Sequence, residues 1–274
     1  MDRRTTPFSG RLALPSLRGL VEATFVQGEA ASVKHPVVDL LAHPNGARER
    51  QLLLGDTVTV IDLSDDHAFV QAAKDGYCGW VNAAAIGPAT TPTHWIAARA
   101  SHLYTRPKIQ APERAVLPFG AALTVTALHD SFAETPQGYV PLAHLRGLND
   151  RPTDPLTVAE SLLGTPYLWG GNTAAGIDCS GLVQAAMLAC GLACPGDSDQ
   201  QQTLGRALED KMPLQRGDLL FWKGHVAWVA DARRILHANG HTMSVAFEPI
   251  ASAIGRILAQ DGGPVIARRR VFTP

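Results

Sequence analysis

The chain has 274 residues, 46% hydrophobic and 18% charged, an ordinary globular balance with enough length for two or three domains. Its 24 basic and 25 acidic residues leave a formal net charge of -1, so the electrostatics offer nothing to a nucleic-acid partner. No run of roughly 18 consecutive apolar residues occurs, so neither a transmembrane helix nor a membrane partner is expected.

Residues 1–30 carry two early arginines, but Pro15 and Arg18 interrupt the continuous apolar stretch that an export signal needs. No export signal is read. The segment is expected to be an N-terminal arm, either packed on the first domain or partly disordered. Four cysteines, at positions 78, 179, 190 and 194, are too few for a disulfide scaffold in a chain of this size and fit a reducing compartment, so the expected location is cytoplasmic.

Between residues 36 and 150 the apolar runs are short, rich in Val, Leu and Ile, and separated by Gly, Asp, Asn and Pro, which reads as all-β. TVTVID and HAFVQAA alternate, and KDGY supplies a Gly-containing hairpin turn. The order then repeats. LLLGDTVTV and LPFGAALTV each precede a strand, and Gly76-Tyr77 and Gly138-Tyr139 each lead into a valine and the chain's exit. Two small barrels in tandem, 31–90 and 91–150, account for this internal repeat; barrels serving only as spacers are the alternative.

A Pro-containing linker, NDRPTDP, closes the β region, and 151–274 has a different texture. LTVAESLLG suits a helix capped by Thr157 or Asp154, and SGLVQAAMLACG a second helix closed by glycine. A third helix is expected from Ser198 to about Ala207. DLLFW, HVAWVAD, RRILHANG and GPVIARRRVF then read as strands of an antiparallel sheet, making an α+β domain.

Cys179 stands where the second helix begins, ahead of the apolar face formed by Leu182, Val183, Ala186 and Met187. A thiol at a helix's first turn meets the positive end of the dipole and unpaired N–H groups, both of which favour thiolate. The amides around Cys179 and Ser180 can also hold the oxyanion formed when that thiolate attacks a carbonyl. Attack needs a base, and two of the ten histidines lie in neighbouring strand patterns: His225 opens HVAWVAD and His237 sits in RRILHANG. If DARR forms the turn, the strands pair antiparallel and bring both imidazoles to one face, His225 as base and His237 as orienter. A zinc site from Cys190, Cys194 and His237 or His241 would rest on a lone CxxxC, so neither metal nor cofactor is expected.

The run GTPYLWGGNTAAGIDCSGLVQAAMLACG, followed by RGDLLFW, GHVAWVAD and ILHANG, resembles the NlpC-type cell-wall cysteine peptidases over residues 155–272. The two β segments resemble bacterial SH3-like domains, the first through Gly79-Trp80-Val81 and the second, less fully, through Gly138-Tyr139-Val140-Pro141. The resemblance implies two SH3-like barrels followed by a circularly permuted papain-like domain. It implies Cys179 as nucleophile, His225 as base and His237 as third member, and adds Tyr167 near the oxyanion.

The tandem arrangement is similar to the intracellular γ-D-glutamyl-L-diamino-acid endopeptidases of peptidoglycan recycling. The implied substrate is a short muropeptide whose free N-terminal L-alanine is held by acidic groups and a tyrosine. Candidates here are Asp178, Ser180, Asp197, Ser198, Tyr77 and Glu49; Asp197 as a helix cap or turn residue is the alternative. A buried ammonium requires carboxylates, and such a pocket rejects an acylated amine because its carboxylates then lack a cation. An amidase or acyltransferase of the same fold, and a wall-peptide binding protein, are the competing readings. The sequence carries no sign of oligomeric state or of which diamino acid is cut.

Overall fold

The computed structural model describes residues 1–260 and 262–272, so residue 261 and the end of the expected 151–274 domain lie outside the described residues. The chain divides into two compact units, Met1–Asp150 and the stretch from Arg151 onward.

In the first unit the N-terminal arm forms a packed layer in which β1 (Leu12–Ala13) pairs in parallel with β2 (Thr24–Phe25). Seven strands follow: β3 (Glu29–Val33), β4 (Val37–Leu41), β5 (Arg48–Leu53), β6 (Thr57–Ser64), β7 (His67–Ala72), β8 (Cys78–Asn82) and β9 (Ile86–Pro88). They form one sheet in the order β5-β4-β8-β7-β6-β3-β9. Alternation along these strands sends Val58, Val70 and Val81 into a core with Leu40 and Leu52, and sends Ile61, Phe69 and Trp80 to the opposite face. Both faces are therefore apolar. Leu12, Leu14 and Val26 of the arm cover the second.

A bulge between Val60 and Asp62 puts Asp62 in register with Phe69, so this carboxylate also faces the arm. There it accepts from Arg11 Nη2 at 2.6 Å and Ser9 Oγ at 2.6 Å. Burial pushes its pKa up, but those two donors outweigh burial and hold it below the usual carboxylate value.

The second β segment contains β10 (His94–Ile96), β11 (Ala100–Tyr104), β12 (Glu113–Pro118), β13 (Ala122–Leu123), β14 (Ala127–His129), β15 (Phe132–Thr135), β16 (Gly138–Pro141) and β17 (Leu145–Gly147). They form sheets ordered β12-β11-β16-β15-β14 and β13-β10-β17. Ile96, Leu103, Leu117, Leu123 and Val140 make a separate core, to which Leu54 of the preceding segment contributes.

The second unit begins with α1 (Pro155–Ser161), where Asp154 is the N-cap and accepts from Leu156 N. A short hairpin, β18 (Asn172–Thr173) and β19 (Gly176–Ile177), leads into α2 (Cys179–Ala189) and the short α3 (Ser198–Gln201). The remaining elements are β20 (Arg206–Ala207), β21 (Asp218–Trp222), β22 (His225–Val229), β23 (Arg234–Asn239), β24 (Ser244–Pro249), α4 (Ile250–Ala259) and β25 (Ala267–Arg270). The sheet order is β20-β25-β21-β22-β23-β24, antiparallel throughout. Leu220, Trp222, Ala227, Val229 and Ile235 pack beneath Ala253 and Ile257 of α4. All five residues of β21 are buried, as expected of a strand covered on both faces.

One expectation needs correction. The helix expected from Ser198 to about Ala207 stops at Gln201, because the chain turns at Gly205 (φ +56°) to pair Arg206 with Arg270. β24 and α4 add to the expected elements, and in α4 Ile250, Ala253, Ile254 and Ile257 carry the i, i+3, i+4, i+7 spacing of an amphipathic helix.

Candidate active site

The start of α2 is built around Asp178. As N-cap it accepts from Gly181 N at 2.6 Å and Ser180 Oγ at 3.2 Å through Oδ1, and from Gly170 N at 2.8 Å through Oδ2. One carboxylate thus ties the loop carrying Tyr167, Trp169 and Gly170 to the helix's first turn. The loop lies so close that a Cβ on Gly181 would stand 2.5 Å from Gly171 O, which only glycine avoids. Cys179 is consequently the first residue of α2, 7% exposed, with its Sγ 4.0 Å from Gly224 O. Gly224 (φ +72°) lies in the two-residue link between Trp222 and His225, so the turn beside the thiol is the one that launches His225.

Register brings the histidines together. β22 and β23 pair Trp228 with Leu236 and Val229 with Ile235, so the same register sets His237 opposite Ala227, two residues from His225 and on its face. Asp231 shapes the intervening turn by accepting from the amides of Arg233 and Arg234. His225 Nε2 is 2.9 Å from His237 Nδ1, and His237, fully buried, places its Nε2 3.1 Å from Glu248 Oε2. Arg256 forks onto Glu248, Nε to Oε1 at 3.0 Å and Nη2 to Oε2 at 2.7 Å. Burial holds both imidazoles well below their ordinary value; the neighbouring His237 and Arg256 add to this at His225, while Glu248 opposes it at both. At neutral pH the pair is uncharged.

Tyr167 hydrogen-bonds through its backbone N to Met243 O at 2.9 Å. Burial, then the nearby Cys179 and Asp178, push its phenol well above the usual value, so it remains a hydrogen-bond donor. Asp197 occupies the N-cap position of α3 but its side chain does not cap the helix. Ser198 is buried as the first residue of α3, and Gln201 braces this loop to α2 by donating to Ser180 O at 3.0 Å and Pro195 O at 2.9 Å.

Glu49 and Tyr77 belong to the first unit. Glu49, on β5, is clamped by both terminal nitrogens of Arg3, so its charge is already shared with a cation from the arm. The Tyr77 ring is a member of the first core, 3% exposed. Among the described residues no group of three or more His, Cys, Asp or Glu side chains is arranged to hold a metal.

The description "NlpC/P60 family" fits residues 164–254, and "Bacterial dipeptidyl-peptidase Sh3 domain" fits residues 40–86. Dipeptidyl-peptidase 6 of Lysinibacillus sphaericus is 31% identical over 218 residues, 69% of this chain and 79% of that protein. The chain belongs to the NlpC/P60 family. Gamma-D-glutamyl-L-lysine dipeptidyl-peptidase of Bacillus cereus is 35% identical over 117 residues, 38% of this chain, so the match spans only 35% of that relative's length. An NlpC/P60 family protein from Bacillus cereus superposes with a TM-score of 0.74 at 21% identity, over 89% of this chain and 100% of that one, which shows a shared fold. The NlpC/P60 family and the dipeptidyl-peptidase relatives together support a cysteine peptidase.

Glu248, Arg256 and Gln201 were not singled out in the sequence. The first two lie on β24 and α4, and what connects them to His237 is strand register and helix docking, which composition does not display.

Proposed function

We propose that this protein is a cysteine endopeptidase that hydrolyses the γ-D-glutamyl-L-diamino-acid bond of short peptidoglycan peptides with a free N-terminal L-alanine, releasing L-Ala-D-Glu. The observation that carries this reading is the 2.9 Å contact between His225 and His237 on the strand launched beside the Cys179 thiol. Relatives named for γ-D-glutamyl-L-lysine dipeptidyl-peptidase activity support the choice of bond.

In this mechanism the Cys179 thiol yields its proton to His225, and the sulfur attacks the glutamyl γ-carbonyl carbon. The carbonyl electron pair moves to oxygen, where first-turn amides of α2 and the Tyr167 hydroxyl receive the negative charge. Collapse of the intermediate breaks the C–N bond as His225 returns the proton to the departing amine. Water then attacks the thioester, giving one proton to His225 and restoring the thiol as the dipeptide acid leaves. His237 orients His225 throughout.

Asp178, Ser180, Asp197, Ser198, Tyr77 and Glu49 are the proposed contacts for the alanine end. Asp178 gives much of its acceptor capacity to Gly170, Ser180 and Gly181. This reading also takes 91–150 as a second SH3-like barrel and the unit from Arg151 as a circularly permuted papain-like domain. It puts the protein in the cytoplasm, acting on recycled wall peptides. No helix among the described residues is long and apolar enough to cross a membrane.

The test is a mass-spectrometric digest of L-Ala-γ-D-Glu-diaminopimelate beside its N-acetylated form, with Cys179→Ala as control. Cleavage of the free-amine peptide alone, absent in the control, is the expected result. Equal cleavage of both peptides removes the amine pocket, and turnover by Cys179→Ala refutes the cysteine mechanism.

A further inference from the structure

Behind the two histidines stand two charged residues that the proposed mechanism does not use. β23 and β24 pair Ile235 with Glu248 and His237 with Ala246, which sets Glu248 diagonal to His237 on the same face. Arg256 reaches Glu248 from α4 and is itself steadied by Gln260 Oε1, one helical turn on, at 3.1 Å. The result is a continuous chain: Arg256, Glu248, His237, His225.

The proton positions along it follow one from another. Arg256, by its direct hydrogen bonds and then its charge, holds Glu248 below the ordinary carboxyl value, with burial opposing. Glu248 is therefore ionised at neutral pH and can only accept. His237 Nε2, 3.1 Å away, must then carry the hydrogen. Since His237 is fully buried and uncharged, its Nδ1 has a lone pair and no hydrogen. The 2.9 Å contact to His225 can then form only if His225 Nε2 donates. His225 is left with a bare lone pair on Nδ1, the one ring nitrogen still able to take a proton. The opposite polarity would put a hydrogen on that atom and leave no base.

We propose that Glu248 and Arg256 are positioning residues that fix the tautomer of the His225–His237 pair: Glu248 dictates where both imidazole hydrogens sit, and Arg256 keeps Glu248 an acceptor. The cation also balances the carboxylate, so the relay is oriented without a net negative charge that would convert the base to imidazolium. This rests on the cysteine-peptidase reading of the site but is tested separately from it.

The test combines side-chain 15N NMR of histidine-labelled protein with kinetics on the free-amine peptide. In the wild type both His225 and His237 are expected as Nε2–H tautomers at pH 7.5. In Glu248→Gln the side-chain amide can donate to His237 Nε2 while its oxygen still receives Arg256, so both histidines are expected to switch to Nδ1–H. kcat should fall by about 100-fold or more with KM changed less than about threefold, because a wrong tautomer damages the chemical step rather than binding. In Arg256→Met the loss of a cation should raise the base's pKa and move the acid limb of kcat/KM to higher pH, against the groups whose charges act on the pair, Glu248, Arg256 and His241. A wild-type His225 carrying its hydrogen on Nδ1 overturns the proposal even if neither variant folds. So does a Glu248→Gln enzyme of unchanged kcat. Correct tautomers in a wild type that cleaves no peptide would fault the proposed function and leave the relay standing.

Discussion

Replacing Asp178 with Asn tests how the start of α2 is assembled. Both carboxylate oxygens are engaged, one by Gly181 N at 2.6 Å and Ser180 Oγ at 3.2 Å, the other by Gly170 N at 2.8 Å. Asn is nearly as good an N-cap as Asp, so loss of the cap alone would cost little. An amide, however, has only one oxygen. Whichever way it turns, its NH2 faces either Gly170 N–H or Gly181 N–H, and one buried donor loses its acceptor. A hydrogen bond to a charged group is worth about 1.5–3 kcal/mol, and an orphaned buried donor costs a similar amount. The expected destabilisation is therefore about 2 kcal/mol for Asp178→Asn, and about 3–4 kcal/mol for Asp178→Ala, where capping is lost as well. Urea unfolding followed by far-UV circular dichroism and tryptophan fluorescence reads this directly. Activity should also fall, by about tenfold in kcat/KM, since the freed loop carries Tyr167. An Asn variant within about 0.5 kcal/mol of wild type would refute the reasoning, because at that size no buried donor has been stranded.

Two further outcomes are expected. Burial lowers His225 and His237 in the folded state, the latter to about 4. Because the folded protein binds those protons later than the unfolded chain does, stability should be full above about pH 6.5 and fall as pH drops below it, by up to about 1.4 kcal/mol per unit for each histidine. Denaturant titrations at pH 7 and pH 5 check this, and a flat profile, or one left unchanged by His237→Gln, contradicts it. At the other unit, Arg3→Ala should barely alter thermal stability, since the Arg3–Glu49 pair lies at the surface and such pairs are worth about 0–1 kcal/mol. If Glu49 helps to hold the substrate ammonium, losing its competing cation should lower KM for free-amine peptides; an unchanged or higher KM would remove Glu49 from the site.

The parts of this protein that could be read in advance are those whose logic is local. A cysteine flanked by Asp178 and Ser180 at the head of an apolar helical pattern, and two histidines twelve positions apart across a plausible turn, are visible in a few residues each. The alternation of β6 and β7 likewise announces strands. It does not announce that both faces are buried, because that depends on the arm laying Leu12, Leu14 and Val26 across Phe69 and Trp80. The pairing of Glu49 with Arg3 spans 46 residues and leaves no pattern. Glu248 and Arg256 illustrate the same limit. Each looks like an ordinary surface charge in the sequence, and only the β23–β24 register and the docking of α4 turn them toward His237.

The charge distribution in the second unit bears on when the site becomes polar. Burial disfavours imidazolium at His225, and behind it the charges of Glu248 and Arg256 offset each other, so the relay does little to pre-form a cation. In the proposed mechanism the stabilisation of a charged His225 comes from the front, from the thiolate and then from the oxyanion. Of these, the oxyanion exists only while the amide is under attack. In the proposed mechanism the first turn of α2, capped by Asp178, and the Tyr167 hydroxyl serve that oxyanion. Under the proposed mechanism, a neutral relay behind His225 and the donors of the α2 first turn before it favour the transition state over the ground state, which is the condition for raising kcat rather than merely tightening the binding of substrate.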